Sequence, residues 1–234
     1  MIGPLVAGLV GYLCGTFPTA DIVARRASGG TVDLRSAGSG NPGGANALAV
    51  LGTGAGLAVL AGDVGKGALA CGIGGAVGGR TGAHVAGTAA VVGHCHPVWN
   101  GFRGGKGVAT SVGQCLATFP AYFPIDVAVA AATASVPWWR RRAFAATALS
   151  SACWVLGGVV WWRRGWPNAW GPRPSGALPV AAAISSAVIA ARFVAARPIE
   201  PAIEPAIEPA IEPAIEPAIE PAIEPAIEPA RSDP

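Results

Sequence analysis

Apolar runs recur along nearly the whole chain, at about 3–24, 47–61, 64–79, 82–98, 106–118, 121–138, 143–162 and 177–196. A membrane span needs about 20 mostly apolar residues, a length the longer runs meet. A soluble domain would carry charge on every exposed face, at about a quarter of its residues. Here 12% of the 234 residues are charged and 52% are hydrophobic, so the expected fold is all-α, a polytopic transmembrane helical bundle. The first run lacks a basic leader and an A-x-A cleavage site, and its basic pair, Arg25 and Arg26, follows it. That pattern reads as a retained first span rather than a cleaved signal.

Polar islands interrupt the runs at 25–46, 99–107, 139–142 and 163–176. Arg25, Arg26, Arg35, Arg103, Lys106 and the run Arg140 to Arg142 load the first three with positive charge, which places them on the cytoplasmic face. Arg163, Arg164 and Arg173 then fall outside. The first and second islands can share a face only if an even number of spans separates them, yet three apolar runs lie between. One run must be a half-span, or two must merge across Gly62 to Gly67. Counting one, two, two and two gives about seven spans, with the N-terminus outside and the C-terminus inside.

Charge also divides the chain lengthwise. Up to Pro198 there are fifteen Lys plus Arg against four Asp, whereas Ile199 to Pro234 carries eight Glu, Asp233 and Arg231. Eight perfect copies of Ile-Glu-Pro-Ala fill 199–230. Proline at every fourth position removes a helix donor in each turn, so 199–234 is expected to be a disordered, extended acidic tail beside a membrane-embedded domain at 1–198. Cys14, Cys71, Cys95, Cys115 and Cys153 are isolated and read as small apolar packing residues.

Chemistry is expected in the islands. In 33–52, Ser39, Asn41 and Asn46 supply hydrogen-bonding groups on a glycine-rich backbone that includes Gly40, and a helix is expected to start near Gly44. Successive main-chain N–H groups in such a loop would suit an anion, although glycine loops also simply connect close-packed helices. In 93–110, Arg103 can grip phosphate in bidentate fashion and Lys106 adds a point cation, while Gly104, Gly105 and Gly107 keep side chains away. A Walker A loop is excluded, because Asn100 and Gly107 stand where it needs Gly and Ser or Thr. Asp63 and Lys66, three residues apart in an apolar run, share a helix face and must pair or line a polar cavity, as a structural ion pair or as ligand contacts. His94 and His96 straddle Cys95 without further ligands for a metal, and His94 is read as a hydrogen-bonding group beside the loop.

Four motifs in order, R-x-x-G-S-G-N-x-G-x-x-N (35–46), D-V-x-K-G (63–67), G-H-x-x-P-V (93–98) and F-R-G-G-K-G-V-A-T (102–110), resemble the acyl-phosphate-dependent glycerol-3-phosphate acyltransferases of bacteria. The resemblance runs from about residue 3 to 138. It implies a seven-helix integral membrane enzyme that moves a fatty acyl group from acyl phosphate to glycerol 3-phosphate, giving lysophosphatidic acid and phosphate. It implies no metal or other cofactor, no acyl-enzyme, no nucleic-acid partner, and names no protein partner. On that reading Ser39, Asn41, Lys106 and His94 are the candidate catalytic residues. Arg35, Gly40, Asn46, Asp63, Lys66, Arg103, Gly104, Gly105, Gly107 and Thr110 are the candidate substrate- and phosphate-binding residues, and the acyl chain lies in the bilayer.

The chain departs from the family pattern at Ala45 and Ala49, where the family has Thr and Arg. Its C-terminal R-H-x-x-N motif appears as Arg192, Phe193 and Ala196. Each lost charge-assisted bond would remove roughly 1.5–3 kcal/mol. Two other readings use the same residues: a catalytically impaired paralogue that binds phosphate-bearing lipids, and a small organic-anion transporter.

Overall fold

A computed structural model describes residues 2–136 and 142–196, all within one compact unit, Met1–Ile199. Arg140 and Arg141 of the third island and the entire Ile-Glu-Pro-Ala tail lie outside the described residues. The described secondary structure is helical throughout: α1 (Ile2–Gly15), α2 (Thr19–Ser28), α3 (Gly44–Leu51), α4 (Thr53–Cys95), α5 (Val108–Thr118), α6 (Phe123–Ala134), α7 (Arg142–Arg164) and α8 (Ala177–Ala195).

The longest element is two helices. Within α4, Gly78 and Gly79 leave helical geometry, and Gly79 takes φ +63° and ψ −156°, a combination open only to a residue without Cβ. The chain reverses there, and Gly74 comes to lie against Gly82 and Ala86. The expected merger across Gly62 to Gly67 is thus the one that occurs: 53–77 is one unbroken helix and 80–95 the next.

Close contacts order the bundle. Gly11 and Gly15 of α1 press on Ala86 and Ala90, so α1 runs parallel to the second half of α4. Gly67 and Gly113 press on Thr110 and Val64, so α5 runs antiparallel to the first half. Thr88 and Ala181, then Val91 and Ile189, pair α8 in parallel with the second half. One face of the bundle therefore gathers the ends of α1, α4 and α8 with the start of α5. The opposite face gathers the 78–79 reversal and the end of α5, where Asn168 and Trp170 of the α7–α8 connection donate to the carbonyls of Thr118 and Leu116 at 3.0 and 3.2 Å. Counting α4 twice, seven of the described helices pass between these faces.

Among the described residues, four helical stretches are long and apolar enough to cross a membrane: Ile2–Ser28 and Thr53–Asn100, each interrupted by a break, then Ala143–Arg164 and Ala177–Ala195, with Phe123–Thr133 a shorter apolar helix. Side chains such as Leu5, Leu9, Leu57, Leu69 and Val180 stay exposed on the outside of the bundle, as lipid-facing positions do. Inside, small residues let backbones approach, and polar groups fix register. Ser185 donates to Gln114 Oε1 at 2.8 Å, and Gln114 Nε2 donates to Thr88 Oγ1 at 3.3 Å, tying α8, α5 and α4 together.

The first apolar run is not a single helix. Pro18 disfavours helical geometry at Phe17 and cannot donate, so α1 stops at Gly15 and α2 restarts at Thr19. At the break the Phe17 carbonyl accepts the Thr19 amide at 2.9 Å. A Cβ on Gly67 would collide with the Thr110 carbonyl, a backbone atom that cannot swing away. Gly67→Ala is therefore expected to push α5 off α4 and cost about 1–3 kcal/mol, read as a lower thermal midpoint of the detergent-solubilised protein.

Candidate active site

Three chain segments meet over the first half of α4 on one face: the broken helix at 15–21, the loop 29–43 and the loop 96–107. Ala20, Ala24, Leu34, Ala47 and Val59 form an apolar cluster that seats α2, the first loop and α3 against α4. Asn46, buried in the first turn of α3, staples the loop. Its Nδ2 donates to the carbonyls of Leu34 and Ala37, each at 3.0 Å, and its Oδ1 accepts the Ser39 amide at 2.8 Å. All three bonds stay within the protein, so Asn46 shapes this loop.

The second loop closes like a short hairpin. The Gly104 and Gly105 amides donate to the Cys95 and His94 carbonyls, each at 3.1 Å. A Cβ on Gly104 would overlap the His94 carbonyl, and one on Gly105 would overlap the His94 ring. These glycines are needed because the strands of the hairpin touch, and their amides are already paired. The amides of Ser39, Gly40 and Gly43 are likewise paired, with Asn46, Ala37 and Asn41. These five amides are therefore taken up by the loops' own bonds, and an anion at this face would meet other groups, the cationic side chains among them.

Arg35 joins the two loops. Its guanidinium forms a two-pronged ion pair with Asp21, and its Nε donates to the Arg103 carbonyl at 3.1 Å. Asn100 donates to the same Asp21 carboxylate at 2.9 Å. Beneath them, buried Lys66 pairs with buried Asp63 at 2.8 Å and donates to the Phe17 carbonyl at 3.2 Å, which also accepts the Thr19 amide at 2.9 Å. His94 Nδ1 stands 3.6 Å from Asp63 Oδ1. Arg35, Asp63, Lys66, His94, Gly104 and Gly105 line one narrow polar cleft.

Other candidates lie around it. Lys106 is half-buried beyond the hairpin, its ammonium 4.5 Å from the centre of the Phe193 ring. Burial, helped by the Arg192 guanidinium, lowers the Lys106 pKa from the ordinary lysine value. The Arg103 side chain is exposed, as is Ser39; Asn41 is half-buried with its amide nitrogen beside Gly43. Gly40 turns the first loop, Gly107 precedes α5 with φ +87°, and Thr110 is fully buried where α5 crosses Gly67.

Arg192, near the end of α8, was not among the candidates. Its Nη2 and Nε donate to the Gly104 and Gly105 carbonyls at 2.6 and 3.2 Å. Asp21 and Asn100 were also missed. A lone carboxylate in an apolar run was the available signal for Asp21. Among the described residues, no three His, Cys, Asp or Glu side chains gather as a metal site requires.

A family model described as glycerol-3-phosphate acyltransferase matches residues 5–197. Curated relatives bearing that name include one from Synechococcus sp. (strain JA-3-3Ab), 47% identical over 116 residues, which are 50% of this chain and 56% of that protein. One from Cereibacter sphaeroides (strain ATCC 17025) is 39% identical over 162 residues, 69% of this chain and 72% of that one. The matched stretch spans little more than half the length of the Synechococcus relative. Among solved structures, PlsY (YgiH), an integral membrane glycerol 3-phosphate acyltransferase in its glycerol 3-phosphate form, superposes with TM-score 0.65 at 27% identity, covering 82% of this chain and 88% of that one. Its lysophosphatidic acid form superposes with TM-score 0.64.

Proposed function

From a chain that belongs to the glycerol-3-phosphate acyltransferase family, we propose an enzyme that transfers a fatty acyl group from acyl phosphate to glycerol 3-phosphate. The products are lysophosphatidic acid and phosphate. The bond from the acyl carbon to the phosphate oxygen breaks, a hydroxyl oxygen of glycerol 3-phosphate takes its place, and the displaced proton leaves overall with the phosphate.

The observation that carries this reading is the Arg35 bridge, because it holds both glycine loops on one face of the bundle, over Asp63 and Lys66. Both substrates bring phosphate to a membrane surface, and cations carried on that face by the loop beside the cleft suit them. Acyl phosphate is already activated, so holding two anions together and stabilising developing charge supplies the catalysis the residues can offer. Arg35 is neutralised by Asp21, and Lys66 by Asp63. Lys106 and Arg103 have no carboxylate partner among the described residues and are the cations available to phosphate. Ser39, Asn41 and His94 are proposed to contact the reacting groups. The site face, which carries Arg25, Arg35, Arg103 and Lys106, is proposed to be cytoplasmic, with the N-terminus outside and the tail inside.

The test is direct: the purified protein, given acyl phosphate and labelled glycerol 3-phosphate, should form labelled lysophosphatidic acid. Lys106→Ala removes a charge-assisted contact worth roughly 1.5–3 kcal/mol and should lower kcat/KM by about 10- to 150-fold. Because only the ammonium form attracts phosphate, activity should fall as pH rises through the Lys106 pKa, earlier than for an ordinary lysine. Phe193 and Ala196, standing where the family has His and Asn, favour a second reading, an impaired paralogue that binds phosphate-bearing lipid. Retained glycerol 3-phosphate binding with no product would select it.

A further inference from the structure

We propose that the face of the bundle opposite the candidate active site binds the headgroups of anionic phospholipids, through Arg80, Arg163, Arg164 and Arg173. This role is independent of the acyl-transfer reading, since both glycine loops lie on the other face.

Charge is the first observation. Arg80 directly follows the 78–79 reversal of α4, Arg163 and Arg164 end α7, and Arg173 lies in the α7–α8 connection. All four residues are exposed. Before Pro198 the chain has four Asp and no Glu to set against them. Asp21 pairs with Arg35 and Asp63 with Lys66, Asp33 belongs to the first glycine loop, and Asp126 accepts from Ser150 of α7 at 2.5 Å. None of the four arginines has a carboxylate partner among the described residues. Permanent cations gathered on one face repel one another and attract anions. A guanidinium in particular grips phosphate through two parallel bonds.

Aromatic side chains set the depth. Trp162, Trp166 and Trp170 are exposed alongside the arginines, and indoles collect at the headgroup level of a bilayer. The Arg163 guanidinium lies 5.0 Å from the centre of the Trp162 ring, which holds that cation at the same level. The connection that carries these groups is folded. Trp161 donates to the Pro167 carbonyl at 3.2 Å, the Trp166 ring meets Trp161 edge-on at 4.8 Å, and Asn168 donates to the Pro172 carbonyl at 2.8 Å. Arg80 from the reversal, and Trp170 and Pro172 from the connection, line one open cleft of about 680 Å³, with Arg173 next in the chain. A headgroup at that cleft bridges the reversal and the connection, and the connection in turn holds the end of α5 through Asn168 and Trp170. A soluble anion would meet the same charges, but the tryptophans place them in the bilayer interface, where lipid phosphates are the anions at hand.

The test uses the full chain in an uncharged detergent, supplied with phosphatidylglycerol, phosphatidylcholine or heparin, and reads retained lipid and the thermal midpoint. Wild type should retain phosphatidylglycerol in preference to phosphatidylcholine and unfold at a higher temperature with it. Arg80→Gln, Arg163→Gln, Arg164→Gln and Arg173→Gln combined should weaken phosphatidylglycerol binding by about 5-fold for each arginine. The four corresponding Lys substitutions keep the charge and should keep most of the preference. Arg25→Gln with Arg26→Gln, on the site face, should keep it as well. Arg80→Gln alone, at the cleft, gives the same reading on a smaller scale should the combined variant fail to fold. Undiminished phosphatidylglycerol binding in the Gln variants, or its loss in the Arg25 and Arg26 variant instead, would overturn the proposal. Equal stabilisation by heparin, which has no lipid part, would also overturn it, because the face would then recognise soluble polyanions.

Discussion

Asp63→Ala is expected to destabilise the folded protein by about 3–5 kcal/mol, a larger loss of stability than Gly67→Ala brings. The carboxylate is 2% exposed and its partner Lys66 is 8% exposed, inside a helix that crosses the bundle. Removing Asp63 leaves a buried ammonium whose remaining contact is the Phe17 carbonyl. The protein must then admit water, neutralise the lysine or open the contact between α1 and α4. The measurement is thermal unfolding in detergent, where Asp63→Ala should lose its cooperative transition or show it far lower. The double variant Asp63→Ala, Lys66→Met removes both charges and should recover much of the loss, because the penalty lies in the orphaned charge. A single variant as stable as wild type would show that the pair contributes nothing to the fold.

That pair also shows how far a sequence can be read. Spacing alone placed Asp63 and Lys66 on one helix face, and the parity of positive islands required either a half-span or the merger of two of the three intervening runs. Both follow from local periodicity and a global charge rule, and both describe the structure. What sequence could not supply was pairing at a distance. Nothing near Pro18 indicates that the Phe17 carbonyl will accept Lys66, 49 residues later. Glycine loops suggested free amides, yet whether an amide is free depends on what lies opposite. For Gly104 and Gly105, the partners are the carbonyls of Cys95 and His94. Asn46 is intermediate: an Asn in the first turn after a glycine loop is a plausible staple, but its three partners span residues 34 to 39.

The end of α8 is where sequence reading was weakest, and there Arg192→Ala is expected to produce the largest loss of activity. In the family pattern Arg192 is the residue that this chain retains beside Phe193 and Ala196, so the motif as a whole looked lost. Its guanidinium donates to two successive carbonyls of the hairpin, those of Gly104 and Gly105. The amides of the same two residues are tied to the end of α4. The hairpin is thus held from both sides, by α4 through its N–H groups and by α8 through its C=O groups. Each bond from a charged donor contributes roughly 1.5–3 kcal/mol, so losing both releases the loop that carries Arg103 and Lys106. The expected result is a fall in kcat/KM of about 10²- to 10⁴-fold. Thermal stability should fall as well, because both bonds lie within the folded protein, so kcat/KM is compared well below the unfolding midpoint of the variant. Arg192→Lys offers a point cation without the fork that reaches two carbonyls, and should restore only part of the activity. If Arg192→Ala were as active as wild type, α8 would be a wall of the bundle and not a support of the site; a graded loss through Lys to Ala would make the last helix part of the machinery that presents Lys106.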